Sequence, residues 1–234
     1  IKSMGLEDLR PFNPEEKVIE YLLAAGEKGG NKLVDLTVKG FAEETSRESP
    51  APGGGSVSAY MGALGASLAT MVGNLSSHKP GWDERWSEFA QWAERGMELQ
   101  EELLHLVDED TEAFNRIMAA FGMPKNTDEE KQLRTDAIQA ATLFATEVPL
   151  ETMKTSYKVF EVCRQMVTTG NPNSVSDAGV GALAARAAVI GAGMNVKINA
   201  ASLKDREKAE ALIAEADALV EKANAEENEI TQTV

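Results

Sequence analysis

Glu101-Glu-Leu-Leu-His-Leu-Val-Asp-Glu-Asp-Thr-Glu-Ala-Phe-Asn-Arg-Ile-Met-Ala-Ala-Phe121 is the stretch on which the reading of this chain turns. Steps of four and three select Leu103, Val107, Asp110, Phe114, Ile117 and Phe121 as one face of a helix. Every member of that face except Asp110 is hydrophobic, so the spacing predicts a buried seam with a carboxylate inside it. A buried carboxylate costs several kcal/mol unless it is paired, hydrogen-bonded or protonated. Such a cost is accepted for specificity or for chemistry. Asp108 lies about 200° around the same helix and is expected to face elsewhere.

The helical period continues on both sides. Asn13-Pro14 reads as an N-cap with proline at the first helical position, opening a helix through Val18 and Leu22. Residues 36–45 form a second short helix candidate, closed by Pro50 and Pro52. Residues 57–77 are rich in Gly, Ala and Ser, and Ser58, Gly62, Ala66, Thr70 and Asn74 make a small-residue stripe that lets another backbone approach. A long helix is predicted over 83–121, with a break near Gly96. Thr127 and Glu130 form a capping box for the next one, in which Pro149 is expected to kink or restart the helix. A second Ala/Gly-rich helix is expected over 178–199, and a last one over 204–227. No stretch alternates with period two. The expectation is an all-α chain: a single helical-bundle domain of long, closely packed helices spanning 36–234, preceded by a linker segment and first helix over 1–35.

Composition narrows the partners. The 234 residues are 43% hydrophobic but only 6% aromatic, a core material suited to close helix packing. A net charge of −15 argues against nucleic acid and anionic membranes, which need a basic footprint. The apolar stretch 56–77 carries too many polar residues, and no flanking basic bias, to be read as a membrane span. Cys163 is the only cysteine, which excludes an intrachain disulfide and suits a reducing, cytoplasmic setting. With two histidines and no cysteine pair, no zinc or di-metal ligand set is apparent, and no loop has the spacing of a Ca²⁺ or Mg²⁺ site.

Three segments carry candidate chemistry. Pro52-Gly-Gly-Gly-Ser56 leads into a helix, so Gly53, Gly54, Gly55 and Ser56 can bring backbone N–H groups to a ligand. The bland alternative is a tight turn capped by Ser56. Ser176 and Asp177 precede the second small-residue helix, where capping is the default role. Asn195 and Asn199, at the far end of that helix, read as interhelical hydrogen-bonders. Lys79, Arg85 and Lys125 lie at loop edges, where solvated basic residues are usual. Burial would raise the pKa of Asp110 and suit it to shuttle a proton near neutral pH. Pairing with an arginine or capping another helix fits the same pattern.

Taken together, Ala51-Pro-Gly-Gly-Gly-Ser56, Leu106-Val-Asp-Glu-Asp-Thr-Glu-Ala-Phe114, Met123-Pro-Lys-Asn-Thr127 and Ser176-Asp177 resemble the cyclodeaminase/cyclohydrolase family of folate enzymes, and most closely the cyclodeaminase domain of formiminotransferase-cyclodeaminase. The resemblance runs from about residue 36 to the end. Gly5-Leu-Glu-Asp-Leu-Arg-Pro-Phe12 and Lys17-Val-Ile-Glu-Tyr-Leu22 are similar to the segment that follows the transferase domain in the fused enzyme, so a C-terminal piece of a bifunctional chain is expected.

The resemblance implies an all-helical homodimer, possibly larger with a fused formiminotransferase domain, with a folate site near the subunit interface. It places the catalytic role on Asp110, the second aspartate of the Val-Asp-x-Asp pattern, which the seam reaches independently. Gly53, Gly54, Gly55, Ser56, Ser176 and Asp177 match the family's turns, and with Lys125 they are candidates to hold the pterin or glutamate tail. The implied reaction is that of an ammonia-lyase of histidine degradation and one-carbon metabolism: 5-formiminotetrahydrofolate closes to 5,10-methenyltetrahydrofolate and releases ammonia, with Asp110 as general acid/base. It calls for no metal or redox cofactor. Two alternatives stay open: a methenyltetrahydrofolate cyclohydrolase, and a non-catalytic helical domain that holds transferase modules together.

Overall fold

A computed structural model describes residues 32–234. They divide into two units, 1–43 and 44–234. In the first, a 3₁₀ turn at Leu33–Asp35 precedes the start of helix α1 (Val38–Thr45). The helix anticipated through Val18 and Leu22 lies outside the described residues.

The second unit is built from five long helices: α2 (Gly54–Ser77), α3 (Trp86–Phe121), α4 (Asp128–Thr169), α5 (Val175–Ala200) and α6 (Arg206–Thr233). No strand occurs among the described residues. Helix α2 sits centrally and packs on α3, α4 and α5, while α6 covers α4 and α5. The α2–α5 contact needs residues without side chains. A β-carbon on Gly65 would lie 2.8 Å from the Gly181 carbonyl, and one on Gly181 would lie 2.9 Å from that of Gly65. The backbones therefore touch, and the crossing runs antiparallel, with Gly54 beside Asn195 and Gly65 beside Gly181. Helix α6 docks through Ala209, Ala216, Ala223 and Ile230, all buried at seven-residue spacing.

Several boundaries differ from the sequence expectation for physical reasons. Helix α3 runs through Gly96 without a break, because that glycine is where α3 meets Thr70 of α2. Helix α4 likewise continues through Pro149 for 42 residues. The carbonyl left without its usual N–H, that of Ala145, is instead taken by the side-chain amide of Asn199 at 2.6 Å. The capping box forms as expected: Glu130 N–H donates to Thr127 Oγ1, and the Glu130 carboxylate accepts from Thr127 N–H, both at 3.1 Å. Helix α2 begins at Gly54, inside the glycine turn. Helix α5 begins at Val175, so Ser176 and Asp177 lie inside its first turn and Ser174 occupies the cap position, without a side-chain cap bond.

Candidate active site

The seam on α3 changes character along its length. Leu103 and Val107 are fully buried, Phe114 and Ile117 are partly buried, and Phe121 is 51% exposed. The face that is core at one end becomes the wall of a cleft at the other. Asp110 stands at the transition and is only partly exposed.

That cleft, about 150 Å³, is bounded by four helices, with Ala145 contributed by α4, and by the turn before α2. From α3 come Asp110, Thr111, Phe114 and Ile117; from the turn and first residues of α2, Ala51 and Gly53 to Gly55; from α5, Asn195 and Asn199. Asp110 and the glycine turn interlock. Ser56 donates to Asp110 Oδ2 through both its backbone N–H and its hydroxyl, each at 2.8 Å. That N–H belongs to the first turn of α2, so the carboxylate also sits at the positive end of a helix. Gly55 is required by the same approach: a β-carbon there would fall 2.5 Å from Asp110 Cγ and closer still to Oδ1.

Burial raises the pKa of Asp110 above its ordinary value, and the side-chain and backbone hydrogen bonds from Ser56 pull it partly back. No cation pairs with it: none of the ion pairs formed among the described residues involves Asp110. A carboxylate held by two neutral donors, in a cleft lined by neutral polar groups and apolar side chains, keeps its charge available to a cationic ligand. It is also poised to take and return a proton.

The structure brings Gly53, Gly54, Gly55, Ser56 and Asp110 together. Lys125 is exposed in the loop between α3 and α4 and is not among the residues lining this cleft. Ser176 and Asp177 lie at the opposite end of α5 from Asn195, about 27 Å along the helix at its rise of ~1.5 Å per residue. Asp108 and His105 also lie outside the cleft, His105 facing solvent 3.7 Å from Glu109. Asn195, Asn199 and Thr111 are residues that sequence reasoning missed as cleft residues. The i, i+4 spacing of the two asparagines was the available signal for the first pair. Nothing in the sequence marks Thr111, whose buried hydroxyl has no hydrogen-bond partner among the described residues.

A larger cavity, about 690 Å³, opens at the other end of α2 between Met71, Asn74, His78 and Lys79. Its lining contains no carboxylate; Asp110, the carboxylate that the helical seam singles out, lines the smaller cleft. Among the described residues, no three His, Cys, Asp or Glu side chains gather as a metal-ligand set.

The family model described as "Formiminotransferase-cyclodeaminase" matches residues 37–218, spanning α1 to α5 and the first part of α6. The chain belongs to this family. Its cyclodeaminase-type domain is similar to the formimidoyltransferase-cyclodeaminase of Rattus norvegicus, 36% identical over 88% of the chain but only 38% of that relative's length. The methenyltetrahydrofolate cyclohydrolase of Methylorubrum extorquens is 38% identical over 88% of the chain and 97% of its own length. Among solved structures, the formiminotetrahydrofolate cyclodeaminase of Thermotoga maritima superposes with a TM-score of 0.70 at 26% identity, covering 84% of this chain and 96% of that one. Family membership makes this a domain of folate one-carbon enzymes, and the all-helical architecture agrees with that of its structural neighbour.

Helix α5, with the turn before it, is long and apolar enough to cross a membrane, but half of its apolar window is buried in the bundle.

Proposed function

We propose that this domain is a formimidoyltetrahydrofolate cyclodeaminase, converting 5-formiminotetrahydrofolate to 5,10-methenyltetrahydrofolate and ammonia, with Asp110 as its general acid/base. The observation that carries the reading is the Asp110 carboxylate: partly buried, without a cation partner among the described residues, and aimed by Ser56 into a cleft walled by apolar side chains and neutral amides. The ionised carboxylate binds the cationic amidine. N10 attacks the amidine carbon, which becomes tetrahedral between N5, N10 and the amino nitrogen. Asp110 takes the N10 proton and gives it to that amino nitrogen. The carbon–nitrogen bond then breaks, ammonia leaves, and the methenyl cation remains. One carboxylate suffices because the proton it accepts is the proton it returns. The amides of the glycine turn contribute to holding the substrate, and the cleft orients N10 against the carbon.

The cleft is smaller than the roughly 300–1,000 Å³ that encloses a drug-sized ligand, so it suits the reacting centre and leaves the rest of a folate outside. A homodimer supplies the remaining cover. Leu64, Met71 and Leu75 of α2 and Val180, Leu183, Met194 and Ile198 of α5 are each 38–70% exposed, an amount of apolar surface that favours association. Met194 and Ile198 flank the cleft asparagines in sequence. A second copy is also the way in which Lys125, Ser176 and Asp177, none of which lines the cleft within one chain, would reach a substrate. The fused transferase of the animal relatives makes a larger assembly part of this proposal, in a reducing cytoplasmic setting.

The deciding experiment is ammonia release from 5-formiminotetrahydrofolate by the parent and its Asp110→Asn variant, both checked for folding. Release by the parent, with a loss of about 10²-fold or more in the variant, is the expected result. Loss of methenyl absorbance without ammonia would move the assignment to cyclohydrolase, a reading favoured by the bacterial relative of near-equal length. A folded dimer inactive in both assays would leave an assembly role.

A further inference from the structure

Asn195 and Asn199 lie one helical turn apart on α5 and line the cleft that contains Asp110. The amide nitrogen of each is already engaged. Asn195 Nδ2 donates to the Gly191 carbonyl of its own helix at 3.0 Å. Asn199 Nδ2 donates across to the Ala145 carbonyl of α4 at 2.6 Å. That carbonyl is open because Pro149, four residues on, has no N–H to offer it. A carbonyl only accepts, so both amides are oriented nitrogen-first, and the orientation follows from chemistry rather than from an arbitrary choice between O and N. The Oδ1 atoms are left over, and neither receives a donor from any described residue.

We infer that Asn195 and Asn199 are specificity residues of the ring-closing site, their Oδ1 atoms accepting from N–H donors of the bound substrate while Asp110 moves the proton. The inference rests on the cyclodeaminase reading. It explains why these positions are amides. A substrate with one positive charge is matched by one carboxylate, and a second carboxylate would raise the pKa of Asp110 and compete for its proton. Neutral acceptors hold N–H groups without that penalty. A folate offers such donors at the formimino group and at the pterin amino edge, and the methenyl product keeps only the latter.

Asn199 also satisfies the Ala145 carbonyl, so its removal alone would confound recognition with stability. The Pro149→Ala substitution restores the missing N–H, and Asn199→Ala is then made in that background. Asn195→Ala, whose amide nitrogen bonds only within its own helix, is the independent variant and suffices should the Pro149 variants misfold. For each we would measure Tm, the KM for 5-formiminotetrahydrofolate and the inhibition constant of the methenyl product. The expected result is a KM raised about tenfold, the scale of one lost hydrogen bond to the ligand, with Tm held at that of the background chain. A rise in KM alone assigns the acceptors to the formimino group; an equal rise in the inhibition constant assigns them to the pterin edge. Unchanged KM and inhibition constant in folded variants would overturn the inference while leaving the reaction in place. A parent that releases no ammonia would overturn the cyclodeaminase reading and this inference with it.

Discussion

The carboxylate of Asp110 occupies the space where a side chain on Gly55 would begin. The three glycines of the turn are therefore not equivalent. A β-carbon on Gly53 would meet only the Pro50 carbonyl at 3.8 Å, and one on Gly54 would make ordinary contact with Asn195 at 3.4 Å. On Gly55 it would displace the carboxylate and break both Ser56 hydrogen bonds. Activity is expected to survive in Gly53→Ala, to fall by no more than a few fold in Gly54→Ala, and to drop ~10²-fold or more in Gly55→Ala, a loss on the scale of one general acid–base group. Steady-state kinetics on the three folded variants checks the gradient, and equal losses across the series would refute it.

Ser56 acts on the pH dependence. Its two hydrogen bonds favour the charged form of Asp110, against the burial that favours the neutral form. The alkaline side of the titration is the active side, since the carboxylate must be ionised to bind the amidine and accept the N10 proton. The rise of kcat/KM with pH is expected to have a midpoint above the ordinary aspartate range. Ser56→Ala removes the hydroxyl donor and should move that midpoint to higher pH, leaving the plateau less affected than the position. A pH–rate profile of parent and variant tests this, and a shift to lower pH would contradict it.

Asp110 also has a stability consequence of definite sign. Its folded pKa is raised, so the folded state holds the proton more tightly than the unfolded chain does. The stability it contributes is present below the unfolded pKa and is lost as pH rises through the folded value. At neutral pH the ionised, desolvated carboxylate is a burden. Asp110→Asn keeps an acceptor for both Ser56 donors and removes the charge. It is expected to raise Tm by a few degrees, the scale of ~1 kcal/mol in a domain of this size, while abolishing turnover. The gain should shrink on acidification as the parent protonates. Thermal melts at two pH values decide it, and a variant destabilised at neutral pH would contradict it by showing that the Ser56 hydrogen bonds to the charge outweigh its desolvation.

Much of this arrangement was legible in the sequence because it follows from one-dimensional spacing. The three- and four-residue steps around Asp110, the Thr127–Glu130 capping box and the small-residue stripe of α2 each report a local rule, and each corresponds to an observed element. Tertiary compensation was not legible. Pro149 signals a break by every local criterion, and only the Asn199 amide, 50 residues away, accounts for a helix that continues through it. Gly96 reads as a weak point until Thr70 is found against it. Phe114, Ile117 and Phe121 read as core because periodicity identifies a face without saying what covers it. In this chain the cleft begins where the core ends.

The apolar faces of α2 and α5 carry the last prediction. Leu64 and Leu183 are 45% and 48% exposed, and each lies on the solvent side of the close Gly65–Gly181 crossing. If a second copy covers these faces, as proposed, each leucine is buried in the dimer, and a glutamate there would be desolvated without a partner. Leu64→Glu and Leu183→Glu are then expected to give monomers by sedimentation or light scattering, with helical content retained and ammonia release lost along with the second copy's contribution to the cleft. Lys158→Glu, on α4 beside Glu102 rather than on these faces, is the control for charge itself and should leave the assembly intact. Variants that remain dimeric and active would place the interface elsewhere and leave the α2–α5 face without that role.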